Sequence, residues 1–154
     1  VSMVACTKKV KEEVTPAADP VPTTPTTQTV GDGKFTAADL ETDACLRQRV
    51  VYFDFDQADI KSEAAAIVAC HGKYLKDLPG AKMTLEGHAD ERGSREYNLA
   101  LGQKRAEAVL RSLELLGAGN QQLEAVSFGE ERPAVQGSDD AAWARNRRAE
   151  LKDR

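Results

Sequence analysis

Hydrophobic and polar positions change period several times along this chain, and the changes delimit its elements. Residues 49–56 (Arg-Val-Val-Tyr-Phe-Asp-Phe-Asp) are rich in β-branched and aromatic side chains and predict a strand. Asp59 to about Leu78 follows, with Ala64, Ile67, Val68, Cys70/His71 and Leu75 recurring at helical spacing until Pro79-Gly80 ends the run. Residues 82–87 alternate and predict a second strand. A second helix is expected over Arg95–Leu116, capped by Ser94 and closed by Gly117. Its apolar stripe runs through Leu101, Arg105, Val109, Leu113 and Leu116, broadened by Ala106 and Leu110. Residues 123–128 predict a third strand, Ser138-Asp139-Asp140 opens a short helix to about Asn146, and residues 147–152 predict a last strand. The order β-α-β-α-β-α-β implies an α/β domain, a sheet with helices packed on it. No internal repeat is visible.

Ahead of this domain the pattern vanishes. Residues 7–38 hold Pro16, Pro20, Pro22 and Pro25 among Thr23, Thr24, Thr26, Thr27 and Thr29, with almost no large apolar side chain. Ordering such a stretch would not recover its entropy. The expected organisation is therefore an N-terminal region with a disordered linker over residues 1–38 and a domain over 39–154. A linker of this length reaches about 100 Å extended and roughly 30 Å as a coil. It is either a tether or an N-terminus without a task.

The chain carries a net charge of -4, which gives no electrostatic reason to expect nucleic-acid binding. Arg145, Arg147 and Arg148 read better as the edge of a strand, with Asp139, Asp140 and Glu150 close in sequence. No apolar run approaches the roughly 20 residues that span a bilayer. Any membrane link is thus expected through a lipid or a partner. Three cysteines are an odd count. Cys6 follows Met3-Val4-Ala5, and Cys45 and Cys70 are left to pair in an oxidising compartment or to remain buried thiols.

The densest chemistry lies in Gly87-His88-Ala89-Asp90-Glu91-Arg92-Gly93-Ser94. Gly87 and Gly93 bracket a polar loop at the C-terminal end of a strand, where α/β sheets commonly bind ligands. Arg105 lies on the apolar stripe of the next helix, and a charge there needs a partner. That partner is either Asp90, as a structural ion pair, or a ligand carboxylate held in bidentate fashion. Residue types and spacing support both equally. Metal or acid–base chemistry has little support. There are two histidines, His71 falls on a helix stripe, and no nucleophile elbow, zinc spacing or phosphate loop occurs. No cofactor, metal or catalysis is expected.

This loop, with Tyr97-Asn98-Leu99 and Lys104-Arg105-Ala106, resembles the signature of the outer-membrane protein A-like (OmpA-like) peptidoglycan-binding family, in particular its lipoproteins of the Tol–Pal system. Residues 126–134 and 146–151 resemble that family's third strand and terminal strand, in order and spacing. The resemblance implies an α+β sandwich with a mixed four-stranded sheet. It implies that Asp90 receives the amine, and Arg105 the carboxylate, of meso-diaminopimelate in the peptidoglycan stem peptide. Phe55 and Asp56 match the pocket rim, Arg92, Ser94 and Leu101 the wall, and Asn98 a residue read as supporting the loop. His88 matches a variable position and is assigned no role. Cys6 resembles the lipidated cysteine of a bacterial lipoprotein. The family's lipoproteins also bind TolB and work with other Tol proteins. The implied localisation is the outer membrane, lipid-anchored, with the domain in the periplasm. A protein-interaction module without wall binding is the rival reading.

Overall fold

The computed structural model describes residues 33–154, so Cys6 and residues 7–32 of the expected linker lie outside the described residues. The elements are α1 (Asp39–Thr42), β1 (Val50–Tyr52), α2 (Ser62–Asp77), β2 (Met83–His88), α3 (Arg95–Leu115), a 3-10 turn (Asn120–Gln122), β3 (Leu123–Gly129), α4 (Asp140–Asn146) and β4 (Arg148–Asp153). The sheet order is β1-β4-β2-β3. β4 is antiparallel to both β1 and β2, whereas β2 and β3 are parallel. This is the sheet with helices that the pattern implied, and the mixed four-stranded one that the resemblance implied.

Registers decide which side chains meet. Leu85 lies opposite Leu151, Gly87 opposite Ala149, and Val51 opposite Ala149. These residues and Met83 form one sheet face, packed with Ala64, Val68, Leu75, Val109 and Leu113 from α2 and α3 into a single core. The alternate residues, Thr84, Glu86 and His88 on β2 with Arg148, Glu150 and Lys152 on β4, form the other face. On α3 the buried set is Asn98, Gly102, Arg105, Ala106, Val109 and Leu113. Leu116, expected on this stripe, is 42% exposed because the helix has already ended at Leu115.

Two differences from the sequence reading have physical causes. The first strand stops at Tyr52, and residues 54–57 turn away from the sheet, with Asp56 at φ 58°. The apolar alternation persists past Tyr52, but the carbonyls of Asp54 and Gln57 are claimed by Arg105. Ahead of Asp39, Phe35 packs on the core beside Tyr74, and its N–H donates to Asp77. Cys45 and Cys70 are disulfide-bonded, with Cα atoms 6.2 Å apart, fixing the loop before β1 to α2. His71 is fully buried, with Nε2 2.8 Å from the Gln48 carbonyl, a packed histidine as its stripe position predicts.

Candidate functional site

The loop after β2 is shaped by Asp90 and Gly93. The Asp90 carboxylate accepts the Arg92 backbone N–H at 3.0 Å, closing a local turn, and Gly93 adopts φ 99°, a conformation that glycine takes without penalty. Ser94 then accepts the Tyr97 N–H at 3.1 Å and starts α3. Gly87 has a different part from the one expected. It lies inside β2, and a Cβ there would sit 1.7 Å from the Gly102 carbonyl oxygen. It serves close contact between strand and helix, not the turn.

That contact brings the β2 exit and the second turn of α3 to one cavity of about 230 Å3, lined by Phe55, Asp56, Asp90, Arg92, Gly93, Tyr97, Asn98, Leu101 and Arg105. The structure thus gathers Asp90, Arg105, Phe55, Asp56, Arg92, Leu101 and Asn98 together. Ser94 and Gly87 are not on its wall. The volume is below the roughly 300–1,000 Å3 usual for small-molecule sites and suits one residue of a polymer. A larger cavity of about 640 Å3 runs along β1 and the start of α2, but its charged groups (Arg47, Arg49, Lys61, Glu63) are at the surface.

Asp90 and Arg105 do not pair directly. Arg105 is fully buried and donates to three backbone carbonyls: Gln57 from Nε at 2.8 Å, His88 from Nη1 at 2.9 Å and Asp54 from Nη2 at 3.1 Å. Its guanidinium lies 5.3 Å from the Phe53 ring. Burial presses its pKa down to about 10, leaving it cationic at neutral pH. A guanidinium has five N–H groups, so two remain beyond these three bonds.

Asp90 is 5% exposed and is held by the Arg92 fork, from Nε at 3.1 Å and Nη2 at 2.8 Å. Arg147 Nη1 stands 3.9 Å away. Burial alone would push the Asp90 carboxyl up. The side-chain and backbone bonds from Arg92, with the charges of Arg92 and Arg147, outweigh it and hold the carboxyl below its ordinary range. Arg92 is itself sandwiched between Phe55 and Trp143, with ring centroids at 4.0 and 4.1 Å. Trp143 is anchored by Nε1 donating to Glu91 at 3.0 Å.

Three contributors are not evident from the sequence pattern: Tyr97, whose hydroxyl donates to Asp56; Trp143, from α4; and Arg147, whose Nε donates to the Phe53 carbonyl. The available signals were Tyr97, which stands in the quoted motif without an assigned role, and Trp143, the chain's single tryptophan. Asn98 also does more than support the loop. It is 1% exposed, lines the cavity, and its amide nitrogen finds no hydrogen-bond partner among the described residues. A buried donor without a partner is uncommon and invites a ligand acceptor. The arrangement offers one buried anion, one buried cation with N–H groups to spare, and a neutral donor.

Comparison with known proteins agrees with this fold. Residues 52–147 match the OmpA family model. The peptidoglycan-associated lipoprotein of Pseudomonas aeruginosa is 51% identical over 114 residues, covering 73% of this chain and 67% of that protein. The protein of that name from Haemophilus influenzae is 48% identical over 119 residues, covering 77% of this chain and 75% of its own. The crystal structure of the peptidoglycan-associated lipoprotein from Burkholderia pseudomallei superposes with a TM-score of 0.73 at 49% identity, over 75% of this chain and 98% of that one. The C-terminal domain of Helicobacter pylori MotB, at 19% identity and a TM-score of 0.62, shares the fold. The Pseudomonas, Haemophilus and Burkholderia proteins are named as lipoproteins and not as enzymes. A family match across most of the folded domain, together with lipoprotein relatives near half identity, settles the assignment: this chain belongs to the OmpA family, among its peptidoglycan-associated lipoproteins.

Proposed function

We propose that this domain binds the peptidoglycan stem peptide noncovalently, taking up the zwitterionic end of meso-diaminopimelate. One observation carries the reading: the cavity sets the buried Asp90 carboxylate against the buried Arg105 cation and an Asn98 amide nitrogen with no partner among the described residues. The ligand ammonium would meet Asp90 through lone pairs that Arg92 leaves open. Its carboxylate would meet the spare N–H groups of Arg105 and the Asn98 amide. Phe55 and Tyr97, 56% and 49% exposed, would flank the entering peptide. No step in this requires catalysis or a cofactor.

In this reading Cys6 carries the lipid, residues 7–38 form the tether, and the domain faces the periplasm from the outer membrane. No helix among the described residues is long and apolar enough to cross a membrane. Many weak contacts on a polymeric wall give strong attachment that can still be remodelled. Calorimetric titration with a diaminopimelate-containing stem peptide, with a lysine-containing peptide as control, tests it. Selective binding that is lost in Asp90→Ala and in Arg105→Lys, both shown folded by circular dichroism, is expected. Unchanged sacculus binding by either folded variant would overturn the site.

The second reading is a module that docks TolB or another Tol protein without direct wall contact. The exposed aromatics at the cavity mouth favour it. The two readings separate in Asp90→Ala, which should abolish wall binding and spare a partner that docks through Phe55 and Tyr97.

A further inference from the structure

The sheet face opposite the helices holds an arrangement that wall binding does not use. Glu86 and His88 are alternate residues of β2, and Glu150 of β4 is the registered partner of Glu86. One ligand atom from each, two carboxylate oxygens and an imidazole nitrogen, all lie within 4.8 Å of one another. His88 Nε2 is 3.5 Å from Glu150 Oε2. The His88 ring is 1% exposed, stacks on Phe128 at 5.6 Å, and neither ring nitrogen finds a hydrogen-bond partner among the described residues. An imidazole locked in place by packing, with both nitrogens unpaired, is costly unless something fills the position.

The geometry points to a divalent-metal site, with Zn2+ held by His88 Nε2 and the carboxylates of Glu86 and Glu150. Zinc accepts imidazole and carboxylate donors at about 2.0–2.2 Å, so tetrahedral neighbours stand roughly 3.3–3.6 Å apart. The His88–Glu150 separation already meets this, and Glu86 needs a shift of about 1 Å, within reach of a side-chain rotation. The cations nearby do not close the site. Arg148 Nε and Lys152 Nζ stand 3.5 and 3.8 Å from Glu150, beyond hydrogen-bond length. Arg148 is held instead by the Arg132 carbonyl at 3.0 Å, and the Lys152 side chain is 53% exposed and free to swing outward. Their charge lowers affinity without occupying the imidazole. The fourth ligand would be water, since the Glu150 side chain is 23% exposed. Because the His88 carbonyl accepts Arg105 Nη1, the ion would also brace the strand end that carries the cavity.

The test is titration of the full chain with zinc chloride, with Cys6 alkylated so that its thiol takes up none. It is followed by calorimetry and by long-range nitrogen–proton spectra of the two imidazoles. A single site per chain is expected, with the His88 ring resonances shifting and those of His71 unmoved. Glu150→Gln, on a half-buried position that tolerates the amide, should weaken zinc binding about tenfold or more, and Glu86→Gln likewise. If the His88 nitrogens stay in place at millimolar zinc, or both amide variants bind as tightly as the parent, the site does not exist. Neither readout involves the wall ligand.

Discussion

Gly87→Ala is the substitution that the packing of this domain should tolerate least. An ideal Cβ at Gly87 would lie 1.7 Å from the Gly102 carbonyl oxygen and 2.5 Å from its carbon, whereas real Cβ contacts are essentially never under 3.0 Å. The struck atoms are all backbone of Gly102, so no side chain can rotate away. Strand and helix must separate by at least the difference, 3.0 minus 1.7 or 1.3 Å. Val109 and Leu113 of α3 are fully buried, and burying both is worth about 5 kcal/mol. A gap near 1 Å forfeits a quarter to a half of close-contact attraction, about 1–2.5 kcal/mol here. The same movement stretches the three Arg105 bonds, each worth roughly 0.5–1.5 kcal/mol. With those bonds weakened to about half their worth, the loss is about 2–5 kcal/mol, read as the shift in urea midpoint at constant slope. Two glycines calibrate it. Gly102→Ala meets the Ser127 hydroxyl at 2.3 Å and the Gly87 carbonyl oxygen at 2.9 Å, a backbone overlap far slighter than that at Gly87, and regains about 1 kcal/mol of helix propensity, so its loss should be smaller. Gly80→Ala meets nothing within 4 Å and should change stability by under about 1 kcal/mol. If Gly87→Ala lies within about 1 kcal/mol of the parent, or all three behave alike, the steric argument fails. Gly87→Ala should also weaken ligand binding beyond its effect on stability, because it parts the two elements that carry Asp90 and Arg105.

Three further outcomes are expected. Removing the Cys45–Cys70 bond, which closes a separation of 25 residues, should lower stability by up to about 3.5 kcal/mol on the chain-entropy estimate; urea midpoints unchanged by dithiothreitol would contradict this. Burial lowers the pKa of His71 below 6.5, so the folded state prefers the neutral ring. Its stabilising share is then full above about pH 6.5 and is lost as pH falls toward the folded value, because the unfolded chain binds the proton first. Titration of the His71 ring by NMR should show a midpoint below 6.5, and one at or above 6.5 would reverse the sign. Arg92→Lys keeps the charge but loses the planar fork and the stack between Phe55 and Trp143. The Asp90 carboxyl should therefore titrate higher than in the parent, a shift that carboxyl carbon resonances can follow.

What the sequence made legible follows the range of each interaction. Helices α2 and α3 were evident because their buried positions repeat at a local period, which also placed Arg105 inside. The end of β1 was not. Residues 49–56 look uniformly strand-like, and the turn at residues 54–57 depends on carbonyl bonds to an arginine some fifty positions later. The same holds for the site. The resemblance brought Asp90 and Arg105 to one cavity. Their actual partners, a neighbouring guanidinium for one and three backbone carbonyls for the other, were hidden because neither leaves a trace in residue type. Trp143 stacks on Arg92 from a helix that the pattern located but could not aim. Gly87 looked like a turn residue because its neighbour in space, Gly102, belongs to another element.

The position of β4 bears on when this domain can fold. β4 lies between β1 and β2 and is hydrogen-bonded to both, yet it is made after the other described elements. Until residues 148–153 have emerged from a ribosome or a translocation channel, β1 has no partner strand. β2 then has only β3, and the sheet edges stay open. Emergence of β1 is thus separated from its pairing, and a chain moving end-first through a pore leaves this sheet incomplete until β4 is through.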